Sequence, residues 1–319
     1  MKKALKHLPT IVLLAFIFVM SILFFSLPKK EYSSSEKRYL SDFPTLTVDT
    51  FFSGDFGEEF EKYLSDHTPF RNFWVGLNSY YNLALGNPLS NGIYHCSDGY
   101  LINDPLNTDR LDINIDVISE FADKSGLPAT MVLAPSTGYI VNDVLPNEHI
   151  VYNDDELFVD VTDTLSKSTV NFVDIREDFK NAYKNGTQVY YKTDHHWTSE
   201  GAYHAYCALS DELGFTANTR EMYDITTHSG FYGTTYSSSG YWFTKPDDIE
   251  VWDCKNHSSE VSITDNGTTK SYNSMFFNDH LKEDDKYPVY LDGNHPYTVI
   301  KNSSMKLDGE KLLLSLIHI

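Results

Sequence analysis

Cysteine is scarce in this sequence, and the few cysteines present are poorly spaced for cross-linking the chain. Cys96, Cys207 and Cys254 are far apart and form no Cys-x-x-Cys motif. An odd number without a spacing pattern argues against a disulfide framework. No cysteine stands directly after the N-terminal apolar run, so a lipid-modified N-terminus has no support. We expect the three thiols to be buried or incidental.

Basic residues are also few relative to acidic ones. The chain has 25 Lys and Arg against 45 Asp and Glu, which gives a formal net charge of -20. Nucleic acid and anionic membrane surfaces would repel such a chain. The charge balance therefore excludes both as the main partner and leaves neutral or cationic ligands.

Internal repeats and a glycine-rich phosphate loop are absent from the sequence. What is present is ample apolar material, because 41% of the residues are hydrophobic and 14% are aromatic. A chain of 319 residues with this composition can fold as one large or two modest domains. We therefore expect a folded, globular protein and not a disordered one.

A nearly uninterrupted apolar run extends from Ile11 to Leu27, behind three lysines and without a clear cleavage site after it. This pattern favours a single-pass signal anchor over residues 1–30, with an uncleaved signal preferred to a cleaved one. The sequence thus predicts a protein of the cell membrane whose main domain is extracytoplasmic. Residues 31–50 are predicted to be a stalk, and residues 51–313 the folded domain.

Helical and strand-like segments alternate in the middle of the chain. This alternation predicts an α/β fold with a mostly parallel sheet covered on both faces, from about Arg110 to Phe215. Further helices are expected at 51–63 and 71–85, and a loop-rich insertion at about 217–290, where Thr, Ser, Gly and Tyr are frequent. The alternating segments are helix 110–124, strand 130–134, helix 156–165, strand 170–175, helix 178–183, strand 189–191 and helix 198–213.

The most reactive cluster of side chains in the sequence is Asp194-His195-His196-Trp197, between the last predicted strand and helix. In an extended segment, residues two apart share a face, so we expect Asp194 and His196 on one face and His195 on the other. A carboxylate beside an imidazole fixes its tautomer and prepares it to act as a general base. The alternatives are a polar turn that caps a helix and, less favoured, a metal site.

A second conceivable reactive residue is Ser136, at the end of the strand 130–134. It lacks the Gly-x-Ser-x-Gly frame of a nucleophile elbow. An ordinary turn after a strand explains this residue better.

Asp194-His195-His196-Trp197 is the motif for which the bacterial DHHW family is named, and the chain resembles that family. Other segments agree in order: Glu36-Lys37-Arg38, Pro69-Phe70-Arg71, Asn91-Gly92-Ile93-Tyr94 and Gly293-Asn294-His295-Pro296. The family is similar to the AlgX/AlgJ-like alginate O-acetyltransferases, which are SGNH hydrolase-like. The resemblance implies a three-layer α/β sandwich in permuted order, with Asp194 orienting the imidazole and His196 as the base for a serine.

What the resemblance implies for function is an extracytoplasmic O-acyltransferase or esterase of a cell-surface polysaccharide, with a membrane acyl-donor protein as a possible further partner. No metal and no cofactor is expected. The alternative is a carbohydrate-binding or envelope-assembly protein without catalysis. Metal-dependent hydrolysis is a third hypothesis.

The C-terminal end departs from the family pattern. A strand like the segment 309–313 should lead into an Asp-Ser pair that supplies the nucleophile, but the chain closes with Leu314-Ser315-Leu316-Ile317-His318-Ile319. These six residues read like a translated transposase sequencing adapter. We therefore expect that residues 314–319 are not native and that the chain stops just before its nucleophile. Ser315 lacks the preceding Asp and is not expected to replace it.

Overall fold

The computed structural model describes residues 2–33, 36, 38–108, 110–255, 257–302 and 312–315. The chain forms two compact units. The N-terminal unit comprises Met1–Leu85 with Gly240–Trp242, and the C-terminal unit comprises Gly86–Ser239 with Phe243–Ile319. The predicted stalk and domain boundaries stay predictions.

The N-terminal unit is built almost entirely from helices. Its first helix, α1, contains a segment, His7–Ser26, that is long and apolar enough to cross a membrane. The helix predicted over 51–63 is divided in two, because Gly54 adopts a φ of 93° and ends α2. The helix predicted at 71–85 is confirmed as α4. The elements are α1 (Lys2–Ser26), β1 (Tyr32–Ser33), β2 (Arg38–Tyr39), α2 (Val48–Ser53), α3 (Asp55–His67) and α4 (Arg71–Ala84).

Ion pairs connect the segment after α1 to the ends of α3 and α4. Arg38 donates to both carboxylate oxygens of Asp66, at 2.5 and 3.0 Å, and Arg71 pairs with Glu36. The hydrogen bond from Arg38 outweighs the effect of burial and lowers the pKa of Asp66 to about 2. Asp66 therefore remains ionised and holds Arg38 against the end of α3.

The C-terminal unit begins with three short antiparallel strands and continues as alternating helices and strands. Its parallel pair is β6 and β7, in register from Ala129 opposite Val170 to Leu133 opposite Asp174. Helices α5 and α7 pack on this pair through buried Ile115 and Val161. The elements are β3 (Leu89–Ser90), β4 (Ile93–His95), β5 (Leu101–Asn103), α5 (Leu111–Ser125), β6 (Ala129–Leu133), α6 (Thr137–Ile140), α7 (Asp154–Leu165), β7 (Val170–Asp174) and α8 (Arg176–Lys184).

The region predicted to be a loop-rich insertion, 217–290, contains regular antiparallel strands. Strands β8 and β9 form one ladder, and β10 lies between β11 and β12 in another. Trp252 lies in β9, and the segment 261–264 lies in β10. The remaining elements are α9 (Ser199–Leu213), β8 (Tyr223–Phe231), α10 (Thr234–Ser239), β9 (Asp247–Cys254), β10 (Ser259–Asp265), β11 (Thr268–Tyr272) and β12 (Tyr297–Asn302).

The strand predicted at 189–191 is wrong. The chain turns back on itself there, because the Thr198 amide donates to the Val189 carbonyl at 2.9 Å and Tyr190 forms an isolated antiparallel bridge with Trp197. Among the described residues, parallel pairing is therefore limited to β6 and β7, and the other ladders are antiparallel. The expected parallel sheet is correspondingly small.

Candidate active site

The predicted reactive residues lie on a tight loop that leads into α9. Thr198 caps this helix, since its side chain accepts a hydrogen bond from the Gly201 amide at 3.1 Å. Gly201 also explains how the loop closes, because a Cβ there would lie 2.3 Å from the Val189 carbonyl oxygen. The loop is therefore fixed by α9 at one end and by Val189 at the other.

Asp194 and His196 are in direct contact. The Nδ1 atom of His196 lies 2.5 Å from Oδ1 of Asp194, and the His196 amide donates to the same oxygen at 2.9 Å. Only 1% of the Asp194 side chain is exposed, whereas 33% of the His196 side chain is exposed. With Nδ1 turned to the carboxylate, Nε2 is the ring nitrogen available for proton transfer.

The Asp194 carboxylate is ionised despite its burial. Burial raises the pKa of Asp194, but the hydrogen bond from His196, the charges of both neighbouring imidazoles and the Thr234 amide outweigh it and bring the pKa to about 2. The Thr234 amide donates to Oδ2 of Asp194 at 2.8 Å. Each carboxylate oxygen thus has a hydrogen-bond donor, and the side chain is held in one orientation.

His195 lies beside His196 and not on the opposite face, which corrects the expectation for an extended segment. The two ring centroids are 4.0 Å apart, because residues 192–196 bend instead of running as a strand. Nδ1 of His195 lies 2.7 Å from the Thr234 hydroxyl, which in turn donates to Oδ2 of Asp194 at 3.3 Å. Both imidazoles are therefore linked to one carboxylate, His196 directly and His195 through Thr234.

An aromatic side chain from a distant part of the chain completes the surroundings of His196. The ring of Tyr287 lies 4.7 Å from that of His196, centroid to centroid. Burial, followed by the charge of Asp194, raises the pKa of the Tyr287 phenol. Tyr287 therefore remains a neutral phenol that restricts the movement of the imidazole.

A second buried carboxylate, Asp247, holds the residues just before Asp194. Its oxygens accept from the Lys192 amide at 3.0 Å, and from the Thr193 amide and hydroxyl at 2.8 and 2.7 Å. The Gln188 side chain donates to it as well, at 2.8 Å. Asp247 thus fixes the loop backbone without touching either histidine in the described hydrogen bonds.

The same loop offers a possible cation site. Ligand atoms of Asp194, His195 and His196 all lie within 4.8 Å of one another. The sequence argument against a metal assumed that the two imidazoles face apart, and this assumption is wrong. However, Nδ1 of His196 already contacts Oδ1 of Asp194, so a cation would have to displace that hydrogen bond.

A cavity of the C-terminal unit lies next to this loop, and His196 is not among its lining residues. Its volume is about 710 Å³, and Tyr191, Lys192, Thr198 and Asp247 are among its lining residues. The chemistry of the Asp194 and His196 pair, and not the size of the cavity, identifies the candidate site. The cavity therefore has no role in the proposed mechanism.

The two serines considered in the sequence are not joined to His196. Ser136 lies at the start of α6, where its amide donates to Asp154 at 2.6 Å. Ser315 is exposed and outside any helix or strand. No hydrogen bond connects either serine to His196 within the part of the chain that the structure describes. The predicted strand at 309–313 lies mostly outside the described residues, and Leu312 and Leu313 are exposed.

Sequence reasoning missed Thr234, Tyr287 and Asp247. All three belong to the region 217–290, which the sequence predicts to be a loop-rich insertion, and Tyr287 precedes the Gly-Asn-His-Pro turn. One available signal was Gly233, because an isolated glycine often marks a close approach of two chain segments. None of the three is identifiable from local spacing, since each reaches the site from 40 or more residues away.

Comparison with known proteins agrees with this fold. Residues 107–230 match the family model described as the SGNH hydrolase-like domain of the acetyltransferase AlgX. A DHHW family protein from Eubacterium siraeum is similar in structure, with 21% sequence identity, a TM-score of 0.58, and 68% of this chain and 73% of that chain covered. Bacillus cereus PatB1 with a sulfonyl adduct is similar at 20% identity and a TM-score of 0.53, with coverage of 67% and 75%.

These likenesses confirm the resemblance inferred from the motifs, and they confirm the SGNH hydrolase-like α/β fold. At this level of identity, the solved structures establish the fold alone. No curated protein sequence matches the chain. The roles of Asp194 and His196 stay predictions.

Proposed function

We propose that the natural-length protein is an O-acyltransferase or esterase that modifies a cell-surface polysaccharide through a serine activated by His196. The observation that carries this proposal is the 2.5 Å contact between His196 Nδ1 and the buried, ionised Asp194. This contact fixes the tautomer that leaves Nε2 as a proton acceptor. The match of residues 107–230 to an acetyltransferase domain supports acyl transfer over other reactions.

The reaction proceeds through a covalent acyl-enzyme. Nε2 of His196 removes the proton from the serine hydroxyl while the serine oxygen attacks the carbonyl carbon of the acyl donor. Asp194 stabilises the imidazolium that forms, and the imidazolium returns the proton to the leaving group. A polysaccharide hydroxyl, in transfer, or water, in hydrolysis, then attacks the acyl-serine while His196 removes its proton. The imidazolium returns that proton to the serine oxygen as the acyl–serine bond breaks.

The serine nucleophile is expected in an Asp-Ser pair after Leu313 in the natural protein. The chain that ends at Ile319 is accordingly expected to be inactive, because removal of a nucleophile lowers kcat by about a million-fold in serine hydrolases. PatB1 with its sulfonyl adduct suggests a matching test. A sulfonyl fluoride should modify the natural-length protein and leave the chain ending at Ile319 unmodified.

We infer that the reaction takes place outside the cytoplasm, which is supported by the segment His7–Ser26 of α1, long and apolar enough to span a membrane. In this proposal α1 is a single-pass signal anchor, and the chain after it lies on the extracytoplasmic side. A cell-surface polysaccharide is then the accessible substrate. A membrane protein that carries acyl groups outward would supply the donor.

Acetyl release from a chromogenic acetyl ester by the natural-length protein tests the proposal. We expect release that is lost in His196→Ala and retained in His204→Ala, a matched change of a histidine on α9 that makes no contact with Asp194 in the described structure. Folded protein that neither releases nor transfers acetyl groups would overturn the proposal. So would equal release by wild type and His196→Ala.

A metal-dependent hydrolase is the second candidate, and the cluster of Asp194, His195 and His196 ligand atoms favours it. Elemental analysis of the purified protein separates the two functions. A stoichiometric transition metal that is lost in His195→Ala would support the metal hydrolase. Activity that is insensitive to chelators and to His195→Ala would exclude it.

A further inference from the structure

Helix α4 of the N-terminal unit has an apolar face that the rest of the described structure leaves open. The face is formed at helical spacing by large apolar side chains whose exposed fractions lie between 46% and 68%. Single exposed apolar residues are common on protein surfaces, whereas a continuous stripe marks a contact surface. The stripe consists of Phe70, Phe73, Leu77, Tyr81 and Leu85.

The opposite face of α4 is occupied, so the exposed stripe cannot be explained by a rotated helix. Gly76 and Ser79 are buried, and a Cβ at Gly76 would lie 2.0 Å from the indole of Trp242. Arg71 is the one charged side chain of the helix, which also contains three asparagines and a serine. An apolar stripe on a helix whose other face packs on protein is stable when an apolar phase covers the stripe.

The membrane is the apolar phase that the neighbouring contacts favour. Phe16, within the segment that can span a membrane, packs edge-on against Trp74 of α4 with ring centroids 5.7 Å apart. Near the end of the same segment, Phe24 packs against Tyr63 of α3 at 6.1 Å. The apolar face of α4 is thus continuous with the surface of the membrane-spanning candidate.

Helix α2 also carries exposed apolar side chains. Val48, Phe51 and Phe52 of α2 are exposed, with Phe52 82% exposed. The net charge of -20 gives no electrostatic attraction to anionic lipid, so apolar contact must supply the binding free energy.

We propose that the exposed apolar face of α4 contacts lipid acyl chains beside α1, so that the N-terminal unit is a membrane-embedded platform and not a solvated stalk. The inference rests on the proposed membrane anchor and is independent of the acyl-transfer chemistry. It makes the platform a second hydrophobic attachment beside α1. The expected partner is a neutral, zwitterionic lipid surface.

Photo-crosslinking to lipid tests this contact on the full chain reconstituted in phosphatidylcholine vesicles. A benzophenone-containing phenylalanine replaces Tyr81 in one sample and Phe121 of α5 in the matched control. Both positions are aromatic, helical and 62% exposed, so solvent access alone does not distinguish them. A third sample carries the label at Leu77 and guards against a local effect at Tyr81.

We expect lipid adducts at Tyr81 and Leu77 with yields about tenfold above that at Phe121. Equal yields at the three positions would overturn the proposal. A main product of doubled protein mass at Tyr81 would also overturn it, because the stripe would then bind a second copy of the chain.

Carbonate extraction of the same vesicles reports on the anchor separately. A chain that stays with the vesicles but gives no adduct at Tyr81 or Leu77 refutes the platform and leaves the anchor intact. A chain that is extracted refutes the anchor and the platform together. Acetyl release by the natural-length protein in detergent reports on the catalytic proposal without reference to either.

Discussion

Gly233 leaves room for the side chain of Asp194: a Cβ at Gly233 would lie 2.2 Å from both Cβ and Oδ2 of Asp194. Gly233 thus lies against the Asp194 carboxylate, which cannot move without losing its hydrogen bonds to His196 and Thr234. A side chain at position 233 must therefore displace either the carboxylate or the backbone that leads into α10.

Gly233→Ala is accordingly expected to separate Asp194 from His196 and to lower the free energy of unfolding by about 1–3 kcal/mol. The downfield proton NMR resonance of a His196 Nδ1–H bonded to a carboxylate should be lost in this variant. Gly57→Ala in α3 is the control, because no atom lies within 4 Å of the added Cβ and α3 continues through this position. A Gly233→Ala protein with an unchanged resonance would show that the close approach is unimportant.

Asp247 is expected to be the main structural support of the loop that carries the site. Asp247→Ala leaves buried donors of Lys192, Thr193 and Gln188 without their acceptor, which should cost about 3 kcal/mol in the free energy of unfolding. Urea denaturation measures this change. The exposed neighbour Asp248 provides the control, and Asp248→Ala should change the free energy by less than about 0.5 kcal/mol. Equal effects of the two substitutions would contradict the role of Asp247.

Local patterns in the sequence predict the elements near the site better than the contacts within it. The helix predicted over 198–213 is confirmed as α9, which is capped by Thr198 and ends at Gly214 with a φ of 70°. Helix capping depends on neighbouring residues alone, so the ends of this helix can be predicted from the sequence. The strand predicted at Val189–Tyr191 is instead part of a turned loop. The apolar side chains of this segment are buried in the loop, and such side chains are equally compatible with a buried strand.

Long-range partners explain the rest of what the sequence could not give. The spacing of Asp194 and His196 predicts that they form a pair. The backbone bend at 192–196, however, places His195 next to His196, and Asp247 and Thr234 impose that bend. These residues act across 54 and 40 positions of chain. No periodicity relates them to the site, so a reader of one sequence has no local signal for them.

Acid should reveal the contribution of Asp194 to stability. Its pKa is lowered to about 2 from an ordinary value of 3.8, so the contribution of about 2 kcal/mol is present above pH 4 and is lost as the pH falls through about 2. Urea unfolding of wild type and Asp194→Asn between pH 2 and pH 7 measures it. The difference between the two proteins should shrink toward low pH. Because Asp66 titrates in both, a difference that does not vary with pH would contradict the assignment to Asp194.

Mild alkali should loosen the segment that carries Tyr287. His280 lies 3.0 Å from Glu283 and 2.8 Å from Asp292, and the hydrogen bonds to these carboxylates raise its pKa. A raised pKa means that the stabilisation is fully present below the ordinary value of 6.5 and is lost as the pH rises through the raised one.

Hydrogen exchange of the Val289 and Tyr290 amides, corrected for intrinsic rates, should therefore accelerate with rising pH in wild type. In His280→Gln, the protection of the same amides against hydrogen exchange should not vary with pH. Identical pH profiles in the two proteins would show that His280 does not control the position of Tyr287 beside His196.

Serine activation by His196 is tested most directly by intact-mass spectrometry of the natural-length protein, quenched during turnover of an acetyl ester. We expect one acetyl group on the serine of the Asp-Ser pair after Leu313 in wild type and in His204→Ala, and none in His196→Ala or Asp194→Ala. An acetyl-serine that forms equally well without His196, or no covalent species in a protein that turns over the ester, would contradict the mechanism.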